Sequence, residues 1–500
     1  MSVGKQGVGA EADAPVVGLL RRLDPLFLLA PVAWIVATFS RPGFLPNPDS
    51  YYHVKCAQLL WERGWIDAFP WLPFTTLRDF PNAYVAFHAL MAPLHGLAQP
   101  ETVLRLSGTG FALAFVFSVY AILRRWQVPS AGLWTAVMTL GTPLVTLYLG
   151  TLKGGALFFV LFPWFLHCLW RESARGVFLV TLLAAYAYVG TILLPGLSVL
   201  FVVFAGRWRE REGWALVAAA GFAFALGSVM RPEPWSFVQH MGRELLSSYA
   251  RPSDLVAGAQ LGSEWATLPA AEWLRLALAP IVVWAAFAAL QLRRGGMTMR
   301  DLGIAAVCFA LLGYSALSGS KLLHLFGVAS MLALPILVHR YRPFPGIATA
   351  ALALGLLGFA GWNAWHTYTD EVPLDPPAAY ASLAATIAEH SEPDEVVVAP
   401  WGAFPALFFY NDRNRYVAGM NLLFLLDGSP ERFEAYRRLY AGRSPNPDRL
   451  VANAFDGARL VLVRLHMPGA GRLAAQLEAH AAFDELGTGR RGWRLFRRRG

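Results

Sequence analysis

The sequence predicts an α-helical polytopic membrane protein with a small extracytoplasmic α/β domain at its C-terminal end. Three observations predict it. Of the 500 residues, 56% are hydrophobic and 15% charged, where an ordinary soluble domain carries about a quarter charged residues. Many windows of about twenty residues hold no charge, the length that crosses a bilayer as a helix. After residue 370 the composition changes, and strand-like runs alternate with amphipathic ones, the pattern of a small α/β fold.

Residues 1–23 read as a disordered cytoplasmic tail. Arg21 and Arg22 precede the first span, 24–40, and no small-residue cleavage site follows it, so that span is expected to be retained. Residues 41–103 form a long non-cytoplasmic loop. Within it, 51–63 (YYHVKCAQLLWER) places apolar residues at helical spacing beside Lys55, Glu62 and Arg63, which predicts a helix at the membrane interface. Residues 83–98 are apolar but contain His88, Pro93 and His95. The charge pattern keeps them from crossing. Span 104–123 leads to Arg124 and Arg125, which belong inside, so 83–98 re-enters or packs against the bundle.

Further spans are expected at 131–150, 154–170, 176–190, 193–206, 213–230, 274–292, 302–319, 321–339 and 344–366. The basic clusters Arg171/Arg175, Arg207/Arg209/Arg211, Arg293/Arg294/Arg300 and Arg340/Arg342 then all fall on one side. The turn at 190–195 splits one apolar run into two short helices. The total is about eleven spans, N-terminus in and C-terminus out. The transmembrane domain thus runs over 24–369, with external loops 41–103 and 231–273. The tail 370–500 is expected to hold helices at 377–390, 430–441 and 469–482, strands at 396–400 and 458–464, and a final basic strand pair.

A net charge of +9 would point to nucleic acid in a soluble protein. Here the arginines lie in short connections between apolar segments, where they fix orientation, and no nucleic-acid partner is expected. The three cysteines, Cys56, Cys168 and Cys308, suggest neither a disulfide nor a zinc site.

No acid lies mid-span, which argues against an ion-coupled carrier. The acids gather outside: Asp49, Glu62, Asp67 and Asp79, then Glu233, Asp254, Glu264 and Glu272. Asp49, in Pro46-Asn47-Pro48-Asp49-Ser50-Tyr51-Tyr52-His53, is the first candidate. A carboxylate there takes a proton from a hydroxyl, or holds a divalent ion such as Mg or Mn against a phosphate. An Asp or Ser ahead of YYHVKCAQLLW is also an ordinary helix cap, and the two readings are compatible. His53, one turn later, and His88 are candidates for binding phosphate or metal, or for a structural hydrogen bond. Arg231 pairs with a phosphate or anchors at the interface. Glu264, beside Trp265, is the second carboxylate. Lys321 and His324, one turn apart, bind phosphate or snorkel. In 400–421, aromatics lie beside Asn411, Asp412, Arg413, Asn414 and Arg415. That pattern fits a sugar site, with Arg415 as a contact, and equally a buried loop docking on the bundle.

A first span, then a loop with an Asp, then Tyr-Tyr-His and an interfacial helix, resembles the GT-C superfamily of membrane glycosyltransferases. PDSYYHVKCAQ is similar to the first-loop motif of oligosaccharyltransferase catalytic subunits. PWLPFTT (70–76), FHALMAPL (87–94), GSEW (262–265) and FPALFFYNDRNRYVAGMN (404–421) resemble segments of related bacterial membrane proteins. The resemblance implies a GT-C-like fold in the inner cell membrane. It implies a donor sugar on a polyprenyl phosphate or diphosphate, and transfer on the outer face to a glycan, lipid or protein acceptor. It makes Asp49 the base or the metal-orienting carboxylate. Two departures bear on the acceptor. Thr151-Leu152-Lys153 stands where oligosaccharyltransferases place paired acids, and Pro400-Trp401-Gly402 stands in place of Trp-Trp-Asp-Tyr-Gly. They disfavour protein N-glycosylation and favour a lipid or polysaccharide acceptor. The alternatives are a lipid-linked-sugar flippase, which the sparse charge in the spans disfavours, and a non-catalytic scaffold of envelope glycan assembly.

Overall fold

The computed structural model describes residues 14–41, 47–79, 82–231, 233–247, 280–285, 287–289, 291, 296–318, 323–341, 346–369, 375–488 and 492–499. Its helices before the tail include α1 (Ala14–Ser40), α2 (Pro48–Arg63), α3 (Val85–Met91), α4 (Pro100–Arg125), α5 (Ala131–Gly141), α6 (Pro143–Leu149), α7 (Ala156–Trp170), α8 (Ala174–Ala187), α9 (Leu193–Phe204), α10 (Arg211–Val229), α11 (Pro234–Ser247), α12 (Met299–Ser318), α13 (Leu323–Tyr341) and α14 (Gly346–Thr369). The chain forms two compact units. One comprises Met1–Arg41, Arg105–Pro232 and Glu264–Val372, the other Pro42–Leu104, Glu233–Ser263 and Pro373–Gly500.

In its described residues the first unit is helical. There α1 packs on α5, α5 on α14, α7 on α8, α8 on α10, and α12 on α9 and α13. Among the described residues, Arg22–Ser40, Pro100–Arg125, Arg211–Val229 and Leu323–Tyr341 are long and apolar enough to cross a membrane, and Ala131–Gly141, Ala156–Trp170, Ala174–Ala187 and Val189–Phe204 are shorter apolar helices. The expected span 131–150 is two helices, because Pro143 begins α6 and leaves Thr142 extended at φ −105°, ψ 102°. Carbonyls freed by the break are met by side chains. Thr146 Oγ1 donates to Thr139 O at 3.0 Å, and Asn363 Nδ2 donates to Leu140 O at 2.7 Å. Gly132 lets α5 approach closely, since a Cβ there would stand 2.2 Å from Asp24 O. Its N–H donates to the buried Asp24 carboxylate at 2.7 Å.

Arg171, Arg207, Arg300 and Arg340, one from each basic cluster, lie close together in this unit, while Arg293, Arg294 and Arg342 lie outside the described residues. Glu172 accepts from Arg300 at 2.8 Å and lies 3.4 Å from Arg207. Arg171 and Arg340 stand over the Trp126 ring at 5.8 and 5.1 Å. Asp301, with no exposed surface, pairs with Arg340 and accepts from Trp170 Nε1 at 2.9 Å, Thr298 Oγ1 at 2.8 Å and Tyr341 Oη at 2.5 Å. Charges far apart in sequence thus share one end of this unit.

The second unit joins the first loop, α11 and the tail. In the tail lie β1 (Val396–Val398), β2 (Arg415–Tyr416), β3 (Leu460–Arg464), β4 (Phe483–Leu486) and β5 (Trp493–Arg498), in the order β2-β1-β3-β5-β4. β1 is parallel to β2 and β3, and β5 is antiparallel to β3 and β4. Helices α15 (Pro377–Glu389), α16 (Phe404–Tyr410), α17 (Leu422–Gly428), α18 (Pro430–Tyr440), α19 (Pro447–Ala454) and α20 (Ala470–Ala479) accompany the sheet. Each tail element expected from the sequence is present. Strand β2 and helices α16, α17 and α19 are additional.

The first loop contributes to the core of this unit. Phe74 is buried with Val396, Val398, Leu425 and Phe433, and the Tyr416 amide donates to Trp71 O at 2.8 Å. Residues 83–98 fold as α3 and a 3-10 turn, Ala92–Gly96, both packed on α2. Seven residues of helix rise about 10 Å, well short of the ~30 Å hydrocarbon core.

Candidate active site

The candidate site is the N-terminal half of α2. Pro48 begins the helix, and Asn47 caps it by accepting from the Asp49 amide at 3.0 Å. The cap is therefore neither Asp49 nor Ser50. Asp49 sits half-buried in the first turn, where the helix dipole favours a negative charge. At the other end Gly64, with φ 75°, closes the helix, a backbone region that favours glycine.

From Ser50 to Ala57 every α2 residue is buried. His53 and His88 come together: His53 Nδ1 lies 2.9 Å from His88 Nε2. The His53 ring meets Tyr52, Tyr84 and Phe87 at 5.2, 4.8 and 5.4 Å. This apolar wall keeps both rings neutral. Burial holds His53 well below its ordinary value, with His88 adding to the effect, and burial alone pushes His88 down to about 3. The Tyr52 hydroxyl is pushed up, mainly by burial and then by the neighbouring Cys56, with Tyr84 and Asp49 adding least. Burial also pushes the Cys56 thiol up to about 12, leaving it unreactive.

The segment 404–421 docks within the second unit, on α2, whereas docking on the bundle was one expectation. Tyr51 meets Phe409 edge-on at 5.2 Å, and Asp412 pairs with Lys55 at 3.5 Å and Arg63 at 3.2 Å. Asn411 and Asn414 bond each other at 2.8 Å, and Asn414 Nδ2 donates to Ser391 Oγ at 2.9 Å. Arg415 lies at the sheet edge, 3.3 Å from Asp394. These amides and charges hold the segment in place.

The other candidates lie in the first unit or outside the described residues. Arg231 is buried, donates to Ala185 O, and stands 5.7 Å over the Tyr186 ring. His324 stacks on Tyr148 at 5.0 Å and meets Phe159 at the same distance. Lys153 stands 5.8 Å over Tyr148, so the residue noted only as a departure lies beside a candidate. Glu264 and Lys321 lie outside the described residues. Of the external acids, Glu233 lies near Asp67 and Asp79. Burial first, and then those two charges, raise its carboxyl. Among the described residues, no group of three or more His, Cys, Asp or Glu is placed to hold a metal ion.

No family model and no curated protein matches the chain. A solved structure does. ArnT from Cupriavidus metallidurans bound to undecaprenyl phosphate, a GT-C glycosyltransferase, aligns with TM-score 0.56 and 14% identity, over 94% of this chain and 97% of that chain. The chain has the GT-C fold. The apo form of the same ArnT aligns at TM-score 0.41 and 15% identity, over 97% of this chain and 98% of that one. The fold assignment rests on the lipid-bound form.

Sequence reasoning missed Tyr52, Tyr84 and Phe87 as the wall around His53, and Tyr148, Lys153 and Phe159 as the surroundings of His324. Tyr52 had a signal as the neighbour of His53 in the first-loop motif, and Tyr84 and Phe87 as aromatics flanking His88.

Proposed function

We propose that the chain is a membrane glycosyltransferase. It moves a sugar from a polyprenyl-phosphate-type donor to an acceptor on the outer face of the cell membrane. The observation that carries this reading is the half-buried Asp49 in the first turn of α2, a helix capped by Asn47, in a chain with the GT-C fold. A relative in fold is described with undecaprenyl phosphate bound, which supports a polyprenyl donor here. About eleven spans, an inside N-terminus and an outside tail complete the proposal. The convergence of Arg171, Arg207, Arg300 and Arg340 at one end of the first unit supports that topology through the preference of basic residues for the cytoplasmic side.

The chemistry follows from the side chains. An acceptor hydroxyl gives its proton to Asp49 as its oxygen bonds to the anomeric carbon. The bond from that carbon to the phosphate oxygen breaks, and polyprenyl phosphate leaves with the electron pair. Arg231, Lys321 and His324 are assigned to the phosphate charge that develops. Glu264 is the second carboxylate, and Arg415 is kept as a sugar contact of the tail. As the alternative to proton abstraction, Asp49 would hold a divalent cation, Mg or Mn, whose other ligands would have to come from phosphate oxygens and water. Washing with EDTA is expected to lower transfer and added Mg to restore it. Transfer untouched by EDTA removes the cation from the account.

The test uses the purified full chain in liposomes with a set of polyprenyl-phosphate sugars and glycolipid or polysaccharide acceptors. Release of free polyprenyl phosphate is measured together with sugar gained by the acceptor. Matched release and gain is the expected result. Inertness towards every lipid-linked donor would overturn the proposal.

A further inference from the structure

The buried histidine pair carries an inference that rests on the reading of the α2 turn as the active site. His53 Nδ1 and His88 Nε2 lie 2.9 Å apart, so one proton lies between them and two orientations compete. Burial decides between them. His88 has no exposed surface, and among the described residues its Nδ1 has no hydrogen-bond partner. If His88 Nε2 accepted, His88 Nδ1 would be a buried N–H with nothing to receive it. An orphaned buried N–H is rarer than an under-used acceptor. If instead Nδ1 is a bare lone pair, the His88 proton sits on Nε2 and is donated to His53 Nδ1. His53 must then carry its own proton on Nε2. A doubly protonated ring would bury both a charge and an orphaned N–H among Tyr52, Tyr84 and Phe87.

We infer that His88 is a positioning residue that fixes the Nε2–H tautomer of His53, so that His53 meets the donor substrate as a neutral hydrogen-bond donor to a phosphate oxygen. This assignment removes other roles. His53 Nδ1 is occupied and Nε2 has no lone pair, so His53 is neither a general base nor a metal ligand. It forms no ion pair with phosphate, because it carries no charge. Proton abstraction is left to Asp49, one turn earlier. Ser50, three residues before His53 and so on the same helical face, adds a buried hydroxyl that also has no partner among the described residues. Two neutral donors on one face of α2 fit the oxygens of a single phosphate.

The test is histidine-selective ¹⁵N NMR of the full chain in lipid nanodiscs. His53 is expected to show a protonated Nε2 and an unprotonated Nδ1, unchanged from about pH 5 to 8. A proton on His53 Nδ1, or titration of His53 in that range, overturns the inference. Adding a short-chain polyprenyl phosphate is expected to shift the His53 Nε2 signal and leave His88 Nδ1 in place. No shift at saturating ligand overturns the phosphate contact. In transfer assays His88→Leu is expected to raise KM for the lipid donor about tenfold, the loss of one neutral hydrogen bond, with kcat kept and no new pH dependence. The wrong tautomer alongside intact transfer overturns this inference alone. The expected tautomer without transfer on any lipid-linked donor overturns the functional reading instead.

Discussion

Two buried polar clusters, one in each unit, differ in how completely they are satisfied. Around Asp301, four side chains converge: Arg340, Tyr341, Trp170 and Thr298. The carboxylate is fully used. Around His53 the account does not close. The pair satisfies one nitrogen of each ring, while His88 Nδ1 and Ser50 Oγ stay buried without a partner among the described residues. A buried polar group with every valence met is architecture, here a clamp that ties α12 to α7 and α13. A cluster with polar atoms to spare is held for something that is not part of the chain.

That contrast sets the order of expected effects. Asp301→Asn removes the charge that Arg340 faces in the interior. Breaking a buried pair is costly, and because Arg340 keeps 33% of its side chain exposed the loss is expected near the low end, about 3 kcal/mol. A marked fall in thermal stability checks it, and an unchanged melting temperature would make this cluster as dispensable as a surface pair. The histidine pair gives a smaller, pH-dependent effect. Both folded values lie below the ordinary 6.5, His88 at about 3. The unfolded chain therefore binds more protons as pH falls. The stability of the neutral pair is fully present above about pH 6.5 and drains away as pH drops towards the folded values, by at most about 1.4 kcal/mol per unit per ring. Melting curves between pH 7 and 4 should slope downward in the wild type and flatten in His53→Phe/His88→Phe. Equal slopes would mean that the pair does not carry the acid sensitivity.

Much of this was legible in the sequence, because it depended on local pattern. The strands Val396–Val398 and Leu460–Arg464 follow from short β-branched apolar runs, and the helices Pro377–Glu389 and Pro430–Tyr440 from runs long enough to show a period. The two-residue strand Arg415–Tyr416 and the seven-residue helix Phe404–Tyr410 are too short to show one. The break at Gly141-Thr142-Pro143 was visible as a proline, but the apolar run on either side masked it. The grouping of units was out of reach of local reading, since it depends on Phe74 and Trp71 of the first loop joining the tail. At the candidate site the residue types were legible and their pairing was not. His53 and His88 are 35 residues apart, a separation that no helical or strand period connects. The polar cap at Asn47 was readable as a class, and the structure moved it two residues upstream of Asp49.

The central claim is that the first turn of α2 holds the carboxylate that accepts the acceptor's proton. The direct measurement is sugar transfer from a polyprenyl-phosphate donor in liposomes by Asp49→Asn, normalised to folded protein. Loss of a positioned base predicts a fall of about 10² to 10⁴ in rate, with melting close to wild type because Asn47 keeps the cap. Transfer at the wild-type rate in a folded Asp49→Asn protein would contradict the account.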